Sequence, residues 1–122
     1  MTKKGEDGSE LYADRSEKIL IVRHPGKDGT EYEFKYRDMT WSGRNKAISA
    51  ATSIDNANKG HFDLDRYKRL CLTTMITQHP FKEDLEIALI KIDSGIGEQL
   101  ETIIPKPTEI IGEEEEGFTE PQ

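Results

Sequence analysis

From Thr30 to Arg37 the chain alternates without a break: Thr30, Tyr32, Phe34 and Tyr36 fall on one face, Glu31, Glu33, Lys35 and Arg37 on the other. Period-two alternation of aromatic and β-branched residues against charges is the signature of a half-buried strand. A β-branched run from Lys18 to Arg23 precedes it, across His24-Pro25-Gly26-Lys27-Asp28-Gly29, whose Pro, Asp and Gly residues supply turn geometry. The spacing predicts a β-hairpin over 18–37. An isolated hairpin is marginal in water, so the Tyr/Phe face has to pack on the rest of the chain.

The rest reads as helical. Thr40 can cap a helix opening at Trp41, and Ala47, Ile48, Ala51 and Ile54 recur on one side, predicting a helix over 41–54. Asp55 to Gly60 is a polar loop by composition. Asp63 can cap a second helix over 63–79, in which Leu64, Tyr67, Cys71 and Met75 form a stripe widened by Leu70 and Ile76. His79-Pro80 is expected to end it, because proline disfavours helical geometry in the residue before it. Residues 83–92 read as a helix with Leu85, Ala88, Leu89 and Ile92 on one face, although Leu85, Ile87 and Leu89 also fit strand alternation. A last helix over 94–104 is expected to bury Ile96, Leu100 and Ile103 before Pro105 and Pro107. The fold class is therefore α+β, mainly α: an N-terminal β-hairpin packed on three to four short helices.

Charge and composition set the boundaries. Residues 105–122 hold one lysine against six glutamates, a net of −5, which leaves only −2 of the chain's −7 for everything before them. Ile110, Ile111 and Phe118 are too few to order that stretch, so 105–122 is expected to be a disordered acidic tail. Residues 1–16 read as a flexible N-terminal arm, and 17–104 as a single folded domain. Apolar residues make up 34% of the 122, below the roughly 45–50% usual when glycine is counted, in keeping with a modest core and unstructured ends. The longest apolar run, Ile19 to Val22, is four residues, against the about 20 a membrane span needs. No apolar stretch follows Lys3-Lys4, so no secretory signal is read there. A single cysteine, Cys71, fits a reducing interior.

The tests for chemistry come out empty. Asp55 to Arg66 has the outline of a calcium loop, with Gly60 sixth and Asp63 ninth, but Ala57, Lys59 and Arg66 stand where oxygen ligands belong. His24, His61, His79 and Cys71 lack zinc-ligand spacing. Neither a phosphate-cradling glycine motif nor a nucleophile elbow is present. No catalytic, cofactor-binding or metal-binding residue is assigned, no cofactor is expected, and the chain is read as not an enzyme. Trp41 reads as a core anchor, with a binding role as the alternative. The Glu113–Glu116 run is either a solvating segment or an anionic arm that keeps an aggregation-prone partner soluble.

The order of parts resembles a family. Tyr36-Arg37-Asp38-Met39-Thr40-Trp41 opens a helix after the hairpin; Phe62-Asp63-Leu64-Asp65-Arg66-Tyr67-Lys68-Arg69-Leu70-Cys71-Leu72 forms the next; His79-Pro80-Phe81 breaks the chain. Leu85-Glu86-Ile87-Ala88-Leu89 and Gly95-Ile96-Gly97-Glu98-Gln99-Leu100 follow. Over about residues 18–104 this resembles the tail assembly chaperones of long-tailed bacteriophages, with Gly43-Arg44 where such proteins often carry Glu. The resemblance implies a non-enzymatic protein of the host cytoplasm, left out of the mature virion. Such a protein binds the helical tape measure protein, keeps it soluble and helps recruit tail tube subunits. It implies a protein partner, with neither nucleic acid nor membrane, and leaves the oligomeric state open. The residues that touch the partner are unknown at this stage, since the same apolar positions are needed for the core. The competing expectation is a small acidic adaptor or inhibitor, such as a decoy of a nucleic-acid-binding partner; a body carrying only −2 argues against a decoy.

Overall fold

A computed structural model describes residues 4–106. The hairpin consists of β1 (Lys18–Arg23) and β2 (Glu31–Tyr36), antiparallel with Lys18 opposite Tyr36 and Arg23 opposite Glu31. Asp28 and Gly29 take φ of 52° and 70° in its turn, the left-handed geometry that Asp tolerates and Gly adopts freely. Four α-helices follow, α1 (Trp41–Ala50), α2 (Leu64–Met75), α3 (Leu85–Lys91) and α4 (Ser94–Leu100). The fold is α+β and mainly α.

Two expected helices give way to short strands at their C-terminal ends. The first ends at Ala50, and Thr52–Ile54 (β3) instead pairs with Gly60–Phe62 (β4) as a small second hairpin. The reason is the loop between them. Asp55 Oδ1 accepts from the N–H groups of Ala57 and Lys59, both at 2.9 Å, and Asn58 takes φ of 64°. That side chain closes a turn which draws the flanking residues into extended geometry, and Ile54 is left exposed rather than on a helical face. The second helix ends at Met75, and Ile76–Gln78 forms β5 on the open edge of β2, giving a sheet ordered β1-β2-β5. The β-branched pair Ile76-Thr77 favours extension, and Arg37 N–H bonds Met75 O at 2.9 Å to lock the junction.

Residues 85–91 are helical, with Asp84 O accepting from the N–H groups of Ile87 and Ala88. The expected helix over 94–104 stops at Leu100 and tightens into a 3₁₀ turn, Glu101–Ile103, ahead of Pro105. Asp93 caps α4 by accepting from Gly95 N–H at 2.8 Å. Gly95 makes room there: a Cβ would stand 3.0 Å from Asp93 Oδ2 and 3.1 Å from Pro25 Cγ in the hairpin turn, and one of them would have to shift.

The helices and sheet enclose two adjoining apolar clusters. In one, Val22 and Phe34 of the hairpin meet Leu72 of α2, Ile76, Leu89 of α3, and Ile96 and Leu100 of α4. In the other, Ala47, Ile48 and Ala51 meet Tyr67, Cys71 and Met75 of α2. Tyr36, Ile103 and Ile104 pack against both. α2 is thus the central element, with α1 against one face and the sheet, α3 and α4 against another. Its start is fixed by Asp63, whose carboxylate accepts from Arg66 N–H at 3.0 Å. Asp63→Ala is expected to lower stability by about 1 kcal/mol, read as a fall in the chemical-denaturation midpoint at unchanged slope.

Residues 4–17 are exposed, with one 3₁₀ turn at Gly8–Leu11. The last of them are nonetheless tied to the body. Arg15 donates to Asp38 O, Arg37 Nε donates to Arg15 O at 3.0 Å, and Thr77 Oγ1 donates to Glu17 at 2.5 Å. Pro105 and Lys106 are held as well: Tyr67 donates its hydroxyl to Pro105 O at 2.6 Å, and Arg44 bonds Lys106 O at 3.1 Å. The acidic stretch expected to be disordered lies, from Pro107 onward, outside the described residues.

Candidate protein-interaction surface

The groups that could do chemistry are spent on structure. Asp55, first position of the calcium-like loop, uses its carboxylate on Ala57, Lys59 and, at 2.7 Å, on His61 Nε2. His24 Nδ1 accepts from Gly26 N–H at 3.0 Å, and His79 Nδ1 from Phe81 N–H at 3.2 Å, so both are turn residues. Cys71 is fully buried, and burial pushes its thiol up, away from the thiolate a nucleophile requires. Burial, followed by the neighbouring Cys71 thiol, likewise holds the Tyr67 hydroxyl well above its ordinary value, keeping it a donor to Pro105. Among the described residues no group of three or more His, Cys, Asp or Glu side chains could hold a metal ion. No helix among them is long and apolar enough to cross a membrane.

Asp55 carries a pH consequence. The His61 side chain first, then the N–H groups of Lys59 and Ala57, hold its carboxyl below its ordinary value of 3.8. A carboxyl depressed in the folded state stabilises that state fully above the unfolded value and loses the contribution as pH falls through the folded one. The β3–β4 turn is therefore expected to loosen below pH 3.8, seen as faster hydrogen exchange at Ala57 and Lys59 while the hairpin at 18–37 stays protected.

What the surface does offer is apolar. A groove of about 280 Å³ runs between α2 and α3, lined by Arg66, Arg69, Leu70 and Thr73 on one wall and by Glu86, Ile87 and Ile90 on the other. Ile87 is 47% exposed and Ile90 71%. The helix buries Ala88 and Leu89 against the core and presents these two isoleucines, three residues apart, outside it. Two of the charged lining side chains have partners of their own: Arg69 Nε meets Asp65 at 2.9 Å, and Arg66 Nε donates to Ala50 O at 3.1 Å. An apolar strip flanked by polar side chains is the anatomy of a protein contact, and a groove between two helices is a place where a partner helix can dock.

A second cleft of about 320 Å³ lies between the hairpin and α4, lined largely by Val22, Phe34, Phe81, Ile92 and Ile96. Phe34 and Phe81 meet edge-on there with ring centres 5.6 Å apart. These walls belong to the core, so this cleft is inseparable from folding.

Trp41 corrects the sequence reading. It is 76% exposed at the first position of α1, and Met39, two residues earlier, packs against the α1–α2 cluster in its place. The binding alternative therefore gains over the core-anchor one. Ile87 and Ile90 were legible in principle: once 85–91 is helical with Leu85, Ala88, Leu89 and Ile92 inward, both must fall off the buried face. Comparison of the chain with protein-family models, curated proteins and solved structures returns no match.

Proposed function

We propose that this protein is a non-enzymatic tail assembly chaperone of a long-tailed bacteriophage. It binds the helical tape measure protein in the host cytoplasm, keeps it soluble and helps bring tail tube subunits to it, without entering the mature virion. The observation that carries the reading is the α2–α3 groove, with Ile87 and Ile90 exposed on its α3 wall. A long helical partner carries apolar stripes that aggregate when bare, and an apolar groove between two helices accepts such a stripe at i, i+3 and i+4 spacing. The groove is small, which suits a coat that must come off as tube subunits arrive; weak, transient contacts bury less than about 1,200 Å². The acidic residues from Glu109 to Glu120 would hold the coated complex in solution by mutual repulsion.

Co-expression with the phage's own tape measure protein tests the proposal. The tape measure protein is expected in the soluble fraction with this chain and in inclusion bodies without it. A tape measure protein equally soluble alone, and not retained by this chain, overturns the reading.

A further inference from the structure

β1 is an edge strand whose outer side is only partly closed. The 2.8 Å bond from His24 N–H to Thr30 O, in register with Lys18 opposite Tyr36, turns the backbone groups of even-numbered β1 residues toward β2. Those of Ile19, Ile21 and Arg23 consequently point away from the sheet. Arg23 is sealed: Gln99 of α4 accepts its N–H through Oε1 at 2.8 Å and donates from Nε2 to its carbonyl at 2.7 Å. One carboxamide thus stands in for a neighbouring strand. Among the described residues nothing pairs beside Ile19 and Ile21. Their side chains are 58% and 47% exposed. An apolar edge with open backbone groups is a template for another strand.

The order of side chains names that strand. Along the outward face from Glu17 to Arg23 run an acid, two isoleucines and a base. Laid antiparallel against itself about Leu20, this segment sets Glu17 opposite Arg23 of the second copy and Ile19 opposite Ile21, and the same in reverse. We propose that the protein self-associates through this edge: two copies pair β1 antiparallel about a two-fold axis at Leu20, merging two three-stranded sheets into one.

The register is internally consistent. Ile19 and Ile21 are the outward-turned residues, so in this pairing they exchange N–H···O bonds in both directions, with Leu20 facing its own copy between them. Gln99 keeps the backbone of Arg23, so the two strands diverge beyond Ile21 and only the long Glu17 and Arg23 side chains reach across at each end, where opposite charges are favourable and like charges are not. Glu17 and Arg23 now hold Thr77 and Glu31 in exposed contacts that can re-aim at little cost. Gln99 stops the ladder at Arg23, so the pairing is short and the association weak, on the order of 10⁻⁴ M for a contact at the small end of the range. It leaves the α2–α3 groove free on each copy and does not depend on the proposed function.

Sedimentation equilibrium of the full chain over roughly 10⁻⁵ to 10⁻³ M tests this. Wild type is expected to move from monomer to dimer. Ile21→Pro removes an outward N–H, which an edge strand tolerates, and should weaken association at least about tenfold with the circular dichroism spectrum unchanged. Ile21→Lys serves if the proline variant does not fold. Arg23→Glu should weaken the dimer, and adding Glu17→Arg should restore it. A wild type monomeric throughout, a folded Ile21 variant that dimerises like wild type, or a charge-swapped chain that does not regain the dimer each overturns the proposal.

Discussion

Tyr67→Ala is expected to lower stability by about 4–6 kcal/mol. The side chain is fully buried at the centre of the α1–α2 cluster, its ring lies 5.6 Å from that of Phe62, and its hydroxyl holds Pro105 O at 2.6 Å. Truncating a buried aromatic to alanine costs about 3–5 kcal/mol, and the orphaned carbonyl adds about 1 kcal/mol or more. A body of this size is stable by only about 5–15 kcal/mol, so the loss takes a large share of the margin and, at its low end, all of it. Tyr67→Phe separates the two contributions: it keeps the ring, removes the hydroxyl, and should lower Tm by about 4–8 °C per kcal/mol lost. Thermal melts followed by circular dichroism check both. A Tyr67→Ala protein melting within a few degrees of wild type would show that α2 is not the element on which the fold is assembled.

The second large effect is on binding and leaves the fold alone. Ile87→Asp combined with Ile90→Asp should reduce affinity for the tape measure protein by more than about 100-fold, since central apolar anchors are worth about 2 kcal/mol or more each. Both side chains are exposed, so Tm should stay within a few degrees. Trp41→Ala gives the matching test of the other exposed anchor, and isothermal titration against a soluble tape measure fragment reads both. Loss of binding in the folded Trp41 variant alone would move the contact from the α2–α3 groove to the start of α1.

What could be read from the sequence follows the range of the interactions involved. The hairpin was legible because its signal is local: alternation in 30–37, a turn of Pro, Asp and Gly, and a β-branched run before it. The same holds for α2, whose cap Asp63 and buried Tyr67, Cys71 and Met75 are neighbours along one helix. β5 was not, because Ile76–Gln78 is extended only by virtue of β2, some forty residues earlier, offering it an edge. As isolated residues they continue the helical stripe. β3 and β4 were missed for a different reason. They are three residues each and mostly exposed, and the Asp55 side chain makes them strands by closing the turn between them. Trp41 shows the limit of composition: a lone tryptophan beside a helix start looks like an anchor, and only packing reveals that Met39 reaches the core first. The groove became visible once α3 was known to be a helix, since strand alternation would have put Ile87 inward.

On the proposed function, the α2–α3 groove receives an apolar helical stripe of the tape measure protein. Titrating the isotopically labelled chain with a soluble tape measure fragment, and following amide shifts, tests it most directly. Shifts are expected to concentrate at Leu70, Thr73, Glu86, Ile87 and Ile90, and to be absent in the Ile87→Asp, Ile90→Asp chain. Shifts confined to other surfaces, or none at saturating fragment, would contradict it.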